Sequence, residues 1–237
     1  MIYLHDGNFD GFLSCIYEHY YAQKATSIYA EAAYQPVLFD DIKVIPTDQM
    51  KAKKVYDSLF EKLTEDIYWD IFYTFLSNDP EKDSYLLRYL IVAFKMGKDI
   101  YKLHSNEVTY PVKKISKSVM GERHRFMGLL RFSDVGSCLY APFEPEHDIL
   151  MTLSDHFVDR FKNERFIIHD MKRKKAIISN YGKWLITDFE LKEAILPSER
   201  ELLFQGLWKS YFESIAIDTR ANKKLQQQFV PLKYRKH

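Results

Sequence analysis

The chain has 237 residues, enough for one large domain or two small ones, and its 46% hydrophobic and 16% aromatic content is typical of a well-packed folded protein. With 8 Gly and 8 Pro, long flexible linkers are not expected. The net charge of +1 hides a division: residues 1–107 hold 11 Lys and Arg against 17 Asp and Glu, whereas residues 108–237 hold 23 against 16. This division predicts an acidic region at 1–107 and a basic region at 108–237, within one compact protein. The basic region would suit a polyanion, and a solvated surface without function is the alternative.

Neither a targeting segment nor a membrane span is expected. The N-terminus MIYLHDGNFDGF lacks a basic region followed by an apolar run, and no stretch approaches the roughly 20 apolar residues that cross a bilayer. Cys15 and Cys138 lack CxxC spacing, so neither a disulfide framework nor a zinc knuckle is encoded. We expect both cysteines to be buried, and the protein to be cytoplasmic and independent of membranes.

The first hundred residues are predicted to be mostly helical. Apolar residues recur at helical spacing through much of this region. Asp79-Pro80-Glu81 has the cap and the early proline that begin a helix, with Gly97 as its expected end. The predicted elements are, in chain order, a short strand at 3–4, a helix at 12–20, a β-like run at 37–39 and 44–45 that closes at Pro46, a helical stretch at 55–75, and a helix from Asp79 to Gly97.

From residue 108 onward the pattern changes from helix to strand. A helix after Pro111 has an apolar stripe in which Glu122 occupies a position expected to be apolar, and a buried carboxylate needs a partner. The elements after it are a hairpin of residues 129–132 and 138–141, a helix at 148–162, three antiparallel strands at 166–168, 176–179 and 184–187, and a final helix after Pro197-Ser198 that buries Leu202, Leu203, Leu207, Tyr211 and Ile215.

The order of these elements predicts an α+β fold, with a mainly helical N-terminal half followed by an antiparallel sheet on which helices pack. The strand runs are too local in the sequence for βαβ crossovers, which disfavours a parallel α/β protein.

The segment from Gly121 to Arg173 carries the candidate functional residues. It holds half of the eight histidines, among arginines and apolar residues. Because histidine titrates near neutrality and arginine forks around anionic oxygens, this composition indicates a site for a phosphorylated ligand. No complete catalytic signature accompanies it, so the reaction is left open. The candidates are Glu122, Arg123, His124, Arg131, His147, His156, Arg160, His169, Asp170 and Arg173.

Two spacings within this segment allow alternatives. His156 and Arg160 are four residues apart on a predicted helix, so their side chains lie on one face. They could form an anion site, or His156 could be a hydrogen-bonded core histidine while Arg160 pairs with a nearby acid. Strand alternation places His169 and Asp170 on opposite faces. A metal site of His147, His156 and Asp170 is a further alternative, although no HxxxH or HExxH spacing supports it.

Several known motifs are absent or incomplete. Residues 6–11 fit the start of an EF-hand loop, but Tyr17 stands where the bidentate glutamate belongs and no entering helix fits before Asp6. Turn and helix-cap chemistry explains this segment instead. The sequence has no GxxxxGK[ST], GxGxxG or GxSxG motif, which disfavours a P-loop nucleotide site, a Rossmann cofactor site and an α/β-hydrolase site, and no cofactor is expected.

The basic residues of the second region form two groups. One is the predicted hairpin of residues 172–175, and the other follows Asp218, the last acidic residue. Cations for phosphates and rings for base stacking are combined in proteins that bind single-stranded nucleic acid, whereas a solvated tail is the alternative. The second group comprises Arg220, Lys223, Lys224, Lys233, Arg235 and Lys236, interleaved with Gln226, Gln227, Gln228, Phe229 and Tyr234.

Six segments together resemble a bacterial family of DNA metabolism or DNA repair proteins that contains a domain of unknown function. They are YLHDGNFDGFLSCIYEHY, GERHRFMGLLRF, LYAPFEPEHDI, DHFVDRF, FIIHDMKRKKA and RANKKLQQQFVPLKY. The resemblance covers nearly the full length and implies association with a radical-SAM partner. Related versions are fused to a uracil-DNA-glycosylase-like domain, and this chain, without a cysteine triplet for a cluster, would be the stand-alone form.

The resemblance also implies a set of shared motif residues. In place of the usual tryptophan of the terminal motif stands Arg235, which weakens the case for ring stacking at the C-terminus. The shared residues are Asp6, Gly7, Glu122, His124, Arg125, Arg131, Tyr140, His156, Phe157, Arg160, Asp170, Arg173, Asn222, Gln226 and Pro231.

The leading hypothesis is a nucleic-acid-associated protein of DNA repair. In it, Glu122 and His156 orient phosphates or transfer protons, with His124 and Asp170 as further catalytic candidates. The phosphate-binding candidates are Arg123, Arg131, Arg160, Arg173, Lys223 and Lys224. One alternative is a non-catalytic interaction module whose acidic half docks the radical-SAM partner. Another is a metal-dependent hydrolase that uses the histidine and aspartate site described above.

Overall fold

The computed structural model describes residues 1–103, 106–191, 197–215, 224, 227 and 230–234. The chain forms two compact units, Met1–Gly121 and Glu122–His237. Helices dominate the first unit, and a mostly antiparallel five-stranded sheet forms the second. The protein is therefore α+β, as its sequence predicts. The division by charge at residue 107 stays a prediction.

Short strands alternate with helices at the start of the first unit. Its regular elements are β1 (Ile2–His5), α1 (Phe9–Tyr21), β2 (Ser27–Ala30), β3 (Ile42–Val44), α2 (Gln49–Lys62), α3 (Glu65–Phe75) and α4 (Lys82–Met96), with α5 (Thr109–Leu129) containing the boundary between the units. Single 3₁₀ segments lie at Glu31–Ala33 and Gly97–Lys102. The predicted helices at 12–20, at 55–75 and after residue 108 are confirmed, the second as two helices.

The strands of the first unit form a parallel sheet in the order β2-β1-β3. Helix α1 connects β1 to β2, so this unit contains a βαβ crossover, and the expectation that such crossovers are absent is wrong. Each strand has only three or four residues. Such short strands are too brief to impose a recognisable alternation on the sequence.

The β-like run predicted at 37–39 and 44–45 is only partly correct. Strand β3 begins at Ile42, whereas Val37, Leu38 and Phe39 are exposed, the last by 93%. The backbone of Phe39 has a φ of 75°, which an extended strand does not allow. β-forming residues at this position therefore form a loop with an apolar tip.

The segment Asp6–Gly11 is a turn followed by a helix cap, as predicted. The side chain of Asn8 accepts a hydrogen bond from the Gly11 amide at 2.6 Å and so caps α1. The Asp6 carboxylate accepts from the Thr47 hydroxyl at 2.8 Å and from the amide of Asn8 at 3.2 Å. These bonds join the loop after β1 to the loop after β3.

Helix α4 begins and ends close to the predicted residues. The Asp79 carboxylate accepts from the Glu81 amide at 2.9 Å, and the helix starts at Lys82. Gly97 caps its C-terminal end after Met96, with a φ of 56° that lies in the region that favours glycine. Asp83, in its first turn, is buried against His5 at 3.2 Å, and the His5 ring also accepts from the Gly7 amide. This histidine therefore fixes the turn after β1.

The second unit contains β4 (Ser133–Asp134), β5 (Leu139–Phe143), α6 (Leu150–Arg160), β6 (Arg165–Asp170), β7 (Lys175–Asn180), β8 (Lys183–Asp188) and α7 (Glu199–Ile215). Its sheet has the order β4-β5-β6-β7-β8. The second arm of the predicted hairpin, the helix after it and the three antiparallel strands are confirmed. The first arm predicted at residues 129–132 is wrong, because α5 continues to Leu129 and the strand that pairs with β5 is Ser133–Asp134, in the stretch expected to be the turn. Strands β5 and β6 are parallel and joined through α6, however, so a second βαβ crossover is present.

Helix α6 packs on one face of this sheet through aromatic rings. The Phe132 ring centroid lies 4.7 Å from that of Phe161 and 5.3 Å from that of Phe157. Phe166 of β6 is buried in the same cluster, 5.9 Å from Phe161. Because side chains alternate along a strand, Ile168 and Asp170 lie on the same face as Phe166. This alternation is as the sequence predicts.

Helix α7 lies where the sequence places a final helix, but its predicted buried face is exposed. Its N-terminus is capped by Ser198, whose hydroxyl accepts from the Glu201 amide at 3.1 Å. The Glu201 carboxylate in turn accepts from the Asp134 amide of β4. The side chains expected to be buried are Leu202, Leu203, Leu207, Tyr211 and Ile215, and each is more than 50% exposed.

The two cysteines differ in exposure. Cys15 is fully buried in α1, and burial strongly raises the pKa of its thiol. Cys138, just before β5, is half-buried, so the expectation that both are buried is wrong for this residue. The cause is its place at the end of the β4–β5 hairpin rather than within a strand.

Candidate functional site

Glu122 is buried, with 1% of its surface exposed, on the apolar stripe of α5. Its carboxylate accepts hydrogen bonds from the amides of Glu146 and His147 at 2.9 and 2.8 Å. The Tyr234 hydroxyl donates a third, at 2.6 Å. The buried Glu122 carboxylate, expected from the sequence to need a partner, therefore has two: the loop after β5 and Tyr234.

Asp170, at the end of β6, is fully buried. It accepts from the amides of Lys172 and Arg173, and the Arg173 guanidinium donates to it at 2.9 Å. Burial raises the pKa of the Asp170 carboxyl, and the hydrogen bonds from Arg173 partly oppose this effect. The turn between β6 and β7 is thus organised around one carboxylate.

Residues 145–147 connect these two carboxylates. Arg173 donates to the carbonyl oxygens of Pro145 at 3.3 Å and Glu146 at 2.7 Å, while Glu122 binds the amides on the other side of the same loop. We call Glu122, residues 145–147, Asp170, Arg173 and Tyr234 the loop clamp. Both carboxylates in it use each of their oxygens as acceptors. The loop clamp therefore holds backbone in place, which is a positioning role.

The histidine and aspartate metal site is not formed by the geometry. Across the described ranges of the chain, no group of three or more His, Cys, Asp or Glu is arranged to hold a metal ion. His147 is buried and Asp170 is already bound by Arg173, while His156 on α6 is half-buried against the Phe157 ring. A metal-dependent hydrolase built on these three residues is thus not favoured.

His169 lies on the opposite face of β6 from Asp170, as predicted. Its Nδ1 is 2.8 Å from the Tyr140 hydroxyl, and its ring packs edge-on against Phe189 at 4.9 Å. Burial lowers the pKa of the His169 imidazole, despite the opposing charge of Asp170. This ring is therefore neutral near pH 7 and serves the packing between strands.

The remaining predicted residues lie at the surface or near it, outside the loop clamp. His124, Arg131, Arg160 and Lys224 are exposed. The Arg123 guanidinium donates to the carbonyl of Thr152 at 2.9 Å and so joins α5 to α6. Lys223 lies outside the described residues, as do Arg220, Asn222, Gln226, Phe229, Arg235 and Lys236 of the C-terminal motif.

One end of the sheet in the second unit carries exposed cations and rings. Arg165 begins β6, Asn180 ends β7 and Lys183 begins β8, and these residues are paired in register. Helix α6 ends nearby at Arg160, and four residues separate it from the start of β6. We call this surface the basic end; it consists of Arg160, Lys162, Arg165, Tyr181, Lys183 and Trp184.

Cations and rings of the basic end lie close together. The Arg165 guanidinium lies 5.3 Å from the Tyr181 ring centroid, and that of Arg160 lies 5.6 Å from Phe161. Tyr181 and Trp184 are 58% and 40% exposed. Within the described chain, none of the four cations forms an ion pair, although the exposed acids Asp159 and Glu164 reduce the local charge to +2.

The hairpin of residues 171–175 lies at the other end of the sheet and is only partly free. Arg173 belongs to the loop clamp, and Lys174 forms an exposed ion pair with Glu190 at 2.7 Å. Lys172 and Lys175 are exposed. At about 3.3 Å per strand residue, the six residues of β6 separate the two ends of the sheet by about 17 Å.

Sequence reasoning named Arg160 but missed the rest of the basic end. The basic end combines Arg165, at the start of β6, with Tyr181, Lys183 and Trp184, which come later in the sequence. The pairing of β6, β7 and β8 brings them together in space. The segment Asn180-Tyr181-Gly182-Lys183-Trp184 could have indicated this surface, because two rings and a cation lie close together in the sequence at a turn and the strand start after it.

Comparison with protein families identifies residues 80–237 as DUF4130, a domain of unknown function. This match spans two thirds of the chain and all of the second unit. The chain belongs to the DUF4130 family. Both the loop clamp and the basic end lie within the DUF4130 region, whereas β1 to α3 precede it. No curated protein matches the chain. In the part of the chain that the structure describes, every helix is too short or too polar to cross a membrane.

Proposed function

We propose that this protein binds nucleic acid through the basic end of its second unit and acts in DNA repair or DNA metabolism in the cytoplasm, together with a radical-SAM partner. The observation that carries the binding proposal is the cluster of four exposed cations around two exposed rings. The repair context and the partner rest on the sequence resemblance alone.

The chemistry of the basic end suits a single strand. Arginine and lysine neutralise backbone phosphates, and exposed aromatic rings stack on bases without regard to sequence. Tyr181 and Trp184 stand one and four residues after the end of β7, so their rings and the neighbouring cations can follow one extended single strand of nucleic acid. The proposal assigns phosphate contacts to Arg160, Lys162, Arg165 and Lys183.

The other predicted arginines take different parts in this proposal. Arg123 and Arg173 already donate to main-chain carbonyls, so they support the unit. Arg131 and Lys224 are exposed and stay available for phosphate. Glu122 and Asp170 have their oxygens occupied by hydrogen bonds, and the proposal therefore contains no proton-transfer step through them.

The test is the affinity of the full chain for a fluorescent single-stranded oligonucleotide, measured at several salt concentrations. We expect log K to fall linearly with log salt, by about 0.7 for each phosphate neutralised. Arg165→Gln and Arg160→Ala should each weaken binding and reduce this slope by about one contact. Arg88→Gln is the matched control, since Arg88 is an exposed arginine 5.2 Å from the Tyr85 ring in the first unit. Binding that is absent, or independent of salt, would overturn the proposal.

A second candidate function is an interaction module that docks its partner through helix α7 of the basic region, and not through the acidic half that the sequence suggested. Large apolar side chains such as Leu207 and Trp208 are 58% and 66% exposed on it. Surfaces of this kind are typical of protein interaction sites. The test is co-purification with the radical-SAM partner, by the parent and by the double variant Leu207→Ser, Trp208→Ser. Co-purification that only the parent shows, with no oligonucleotide binding by the parent, would favour this function over the first.

A further inference from the structure

The first unit contains a groove between α1, α2 and α4 that the proposed function does not use. Its volume is about 770 Å³, within the roughly 300 to 1,000 Å³ of small-molecule sites. Buried side chains of Ile16, Ala25 and Val55 form its floor. Most of its lining precedes the DUF4130 region, so the family match does not account for it.

Four aromatic rings line this groove, three on α1 and one on α4. On α1, the rings of Tyr17 and Tyr21 stack with their centroids 4.5 Å apart and their planes at 26°. Tyr20, also on α1, meets Phe94 of α4 edge to face at 5.8 Å. Tyr21 is 76% exposed and Tyr20 47%, so large ring surfaces are open to a ligand. Flat ring faces favour stacking on a planar partner.

Four lysines surround these rings: Lys24, Lys54, Lys62 and Lys95. The Lys54 ammonium lies 5.6 Å from the Tyr17 centroid, and that of Lys62 lies 6.0 Å from the Phe94 centroid. None of the four forms an ion pair with any residue in the described ranges, even though Asp57 and Glu61 also line the groove. The side chains of the groove therefore carry a net charge of +2.

Helix ends explain only part of this positive charge. Helices α2 and α4 end beside the groove, and lysines near a helix C-terminus offset its partial negative charge. That effect falls off within the last turn, and Lys54 lies about two turns before the end of α2. Its place beside the Tyr17 ring thus has no explanation in the helix itself.

His19 adds a neutral donor to the groove. Its Nδ1 accepts a hydrogen bond from the Ala25 amide at 3.0 Å, so the proton of the neutral ring is on Nε2. Burial, with the charge of Lys24, lowers the pKa of this imidazole. His19 lines the groove, and a neutral N–H beside lysines suits an oxygen-rich ligand.

We propose that this groove, the lysine groove, binds a nucleotide, with its base on the tyrosine rings and its phosphate between the lysines. Rings alone would suit any planar molecule and lysines alone any anion, but their interleaving within one groove selects a ligand that has both parts. The same chemistry occurs in a free nucleotide and in the terminal nucleotide of a strand. The experiment has to separate these two sources.

The test is calorimetric titration of the full chain with ADP, adenosine, inorganic phosphate and a 5′-phosphorylated oligonucleotide. We expect ADP to bind at least about tenfold more tightly than adenosine or phosphate, because each part alone loses the contacts of the other. Lys54→Gln and Tyr21→Ser should each weaken ADP binding by about tenfold. Lys98→Gln and Tyr110→Ser, exposed residues of the same unit outside the groove, are the matched controls.

The oligonucleotide identifies the source of the ligand. If the oligonucleotide competes with ADP for the parent protein, and this competition is lost in Lys54→Gln, the groove binds the terminal nucleotide of a strand. If ADP binds and the oligonucleotide does not compete with it, the ligand is a free nucleotide. Phosphate that binds as tightly as ADP, ADP that fails to bind at millimolar concentration, or groove variants that behave like the controls would each overturn the proposal. Arg165→Gln should leave ADP binding unchanged, which keeps this test separate from that of the basic end.

Discussion

Asp170 and Arg173, three residues apart, form an ion pair of 2.9 Å in which the carboxylate is completely buried. The arginine also donates to two main-chain carbonyls of the loop after β5. The Arg173 side chain therefore neutralises a buried charge and also joins the turn after β6 to the loop after β5. Asp170 and Glu122, two catalytic candidates of the sequence, both accept hydrogen bonds from main-chain amides in this unit.

Removal of Arg173 should destabilise the second unit. In Arg173→Gln the buried Asp170 loses its cation, and we expect a loss of about 3 kcal/mol in the free energy of unfolding at pH 7. Burial raises the pKa of Asp170, and without Arg173 that pKa should rise further. The folded state then favours the protonated acid, so the loss should be smallest below the ordinary aspartate pKa near 4 and should grow as the pH rises through the raised value.

Urea unfolding of Arg173→Gln and the parent at pH 4 and pH 7 measures this difference. Arg165→Gln, at the exposed start of the same strand, is the control and should cost little at either pH. Equal losses for Arg173→Gln at both pH values would contradict the role given to Asp170.

Glu122 should matter for stability through its hydrogen bonds. Glu122→Gln replaces one acceptor oxygen by an amide group, which cannot accept from a main-chain N–H, and we expect a cost of about 1 to 3 kcal/mol. Tyr234→Phe removes one donor to the same carboxylate and should cost about 1 kcal/mol. Chemical unfolding followed by circular dichroism measures both, with exposed Glu213→Gln as control. If Glu122→Gln has the same free energy of unfolding as the parent, the hydrogen bonds of the loop clamp do not stabilise the fold.

His169 should make the stability depend on pH. Its pKa is lowered in the folded protein, so folding favours the neutral ring. This contribution is complete above the ordinary histidine pKa of about 6.5 and is lost as the pH falls through that value towards the folded one. Between pH 7.5 and 5.5, the melting temperature of His169→Gln should therefore fall less than that of the parent. His124→Gln, which changes an exposed histidine, should follow the parent curve; a His169→Gln curve parallel to the parent would refute the assignment.

Two glycine substitutions should have opposite effects. A Cβ at Gly11 would lie 2.4 Å from the Asp6 carboxylate and 2.8 Å from the Thr47 hydroxyl, so Gly11→Ala should destabilise the first unit by about 1 to 3 kcal/mol. A Cβ at Gly121 in α5 meets nothing within 4 Å, and Gly121→Ala should stabilise by about 0.5 to 1 kcal/mol. Thermal unfolding of the two variants tests the pair. If Gly121→Ala destabilises the protein, α5 does not tolerate an alanine side chain at position 121.

The sequence predicts long elements well because their periodicity is strong. The helices around Leu59 and Val119 and the strands around Ile168 and Ile177 were all predictable from apolar spacing. It fails where pairing depends on distant segments, as in the parallel pairs of β1 and β5. It also fails where apolar residues are exposed, because composition alone cannot distinguish Leu207 on an open helix from Leu153 in a core.

For the candidate site, the sequence identified residues but not their partners. The burial of Glu122 followed from its place on an apolar stripe, and the opposite faces of His169 and Asp170 followed from strand alternation. That Arg173 turns back to Asp170 and to residues 145–146 depends on the parallel register of β5 and β6, which no local pattern encodes. The basic end depends on register in the same way.

The parallel pairing of β5 and β6 has a consequence for how the second unit folds. Strands β6, β7 and β8 are joined by tight turns, so they can pair as soon as neighbouring residues meet. Strand β5 can join them only after the chain has closed a loop through the whole of α6. The meander should therefore protect its amides from hydrogen exchange before the first two strands do, and the buried carboxylates should acquire their partners in the last step of assembly.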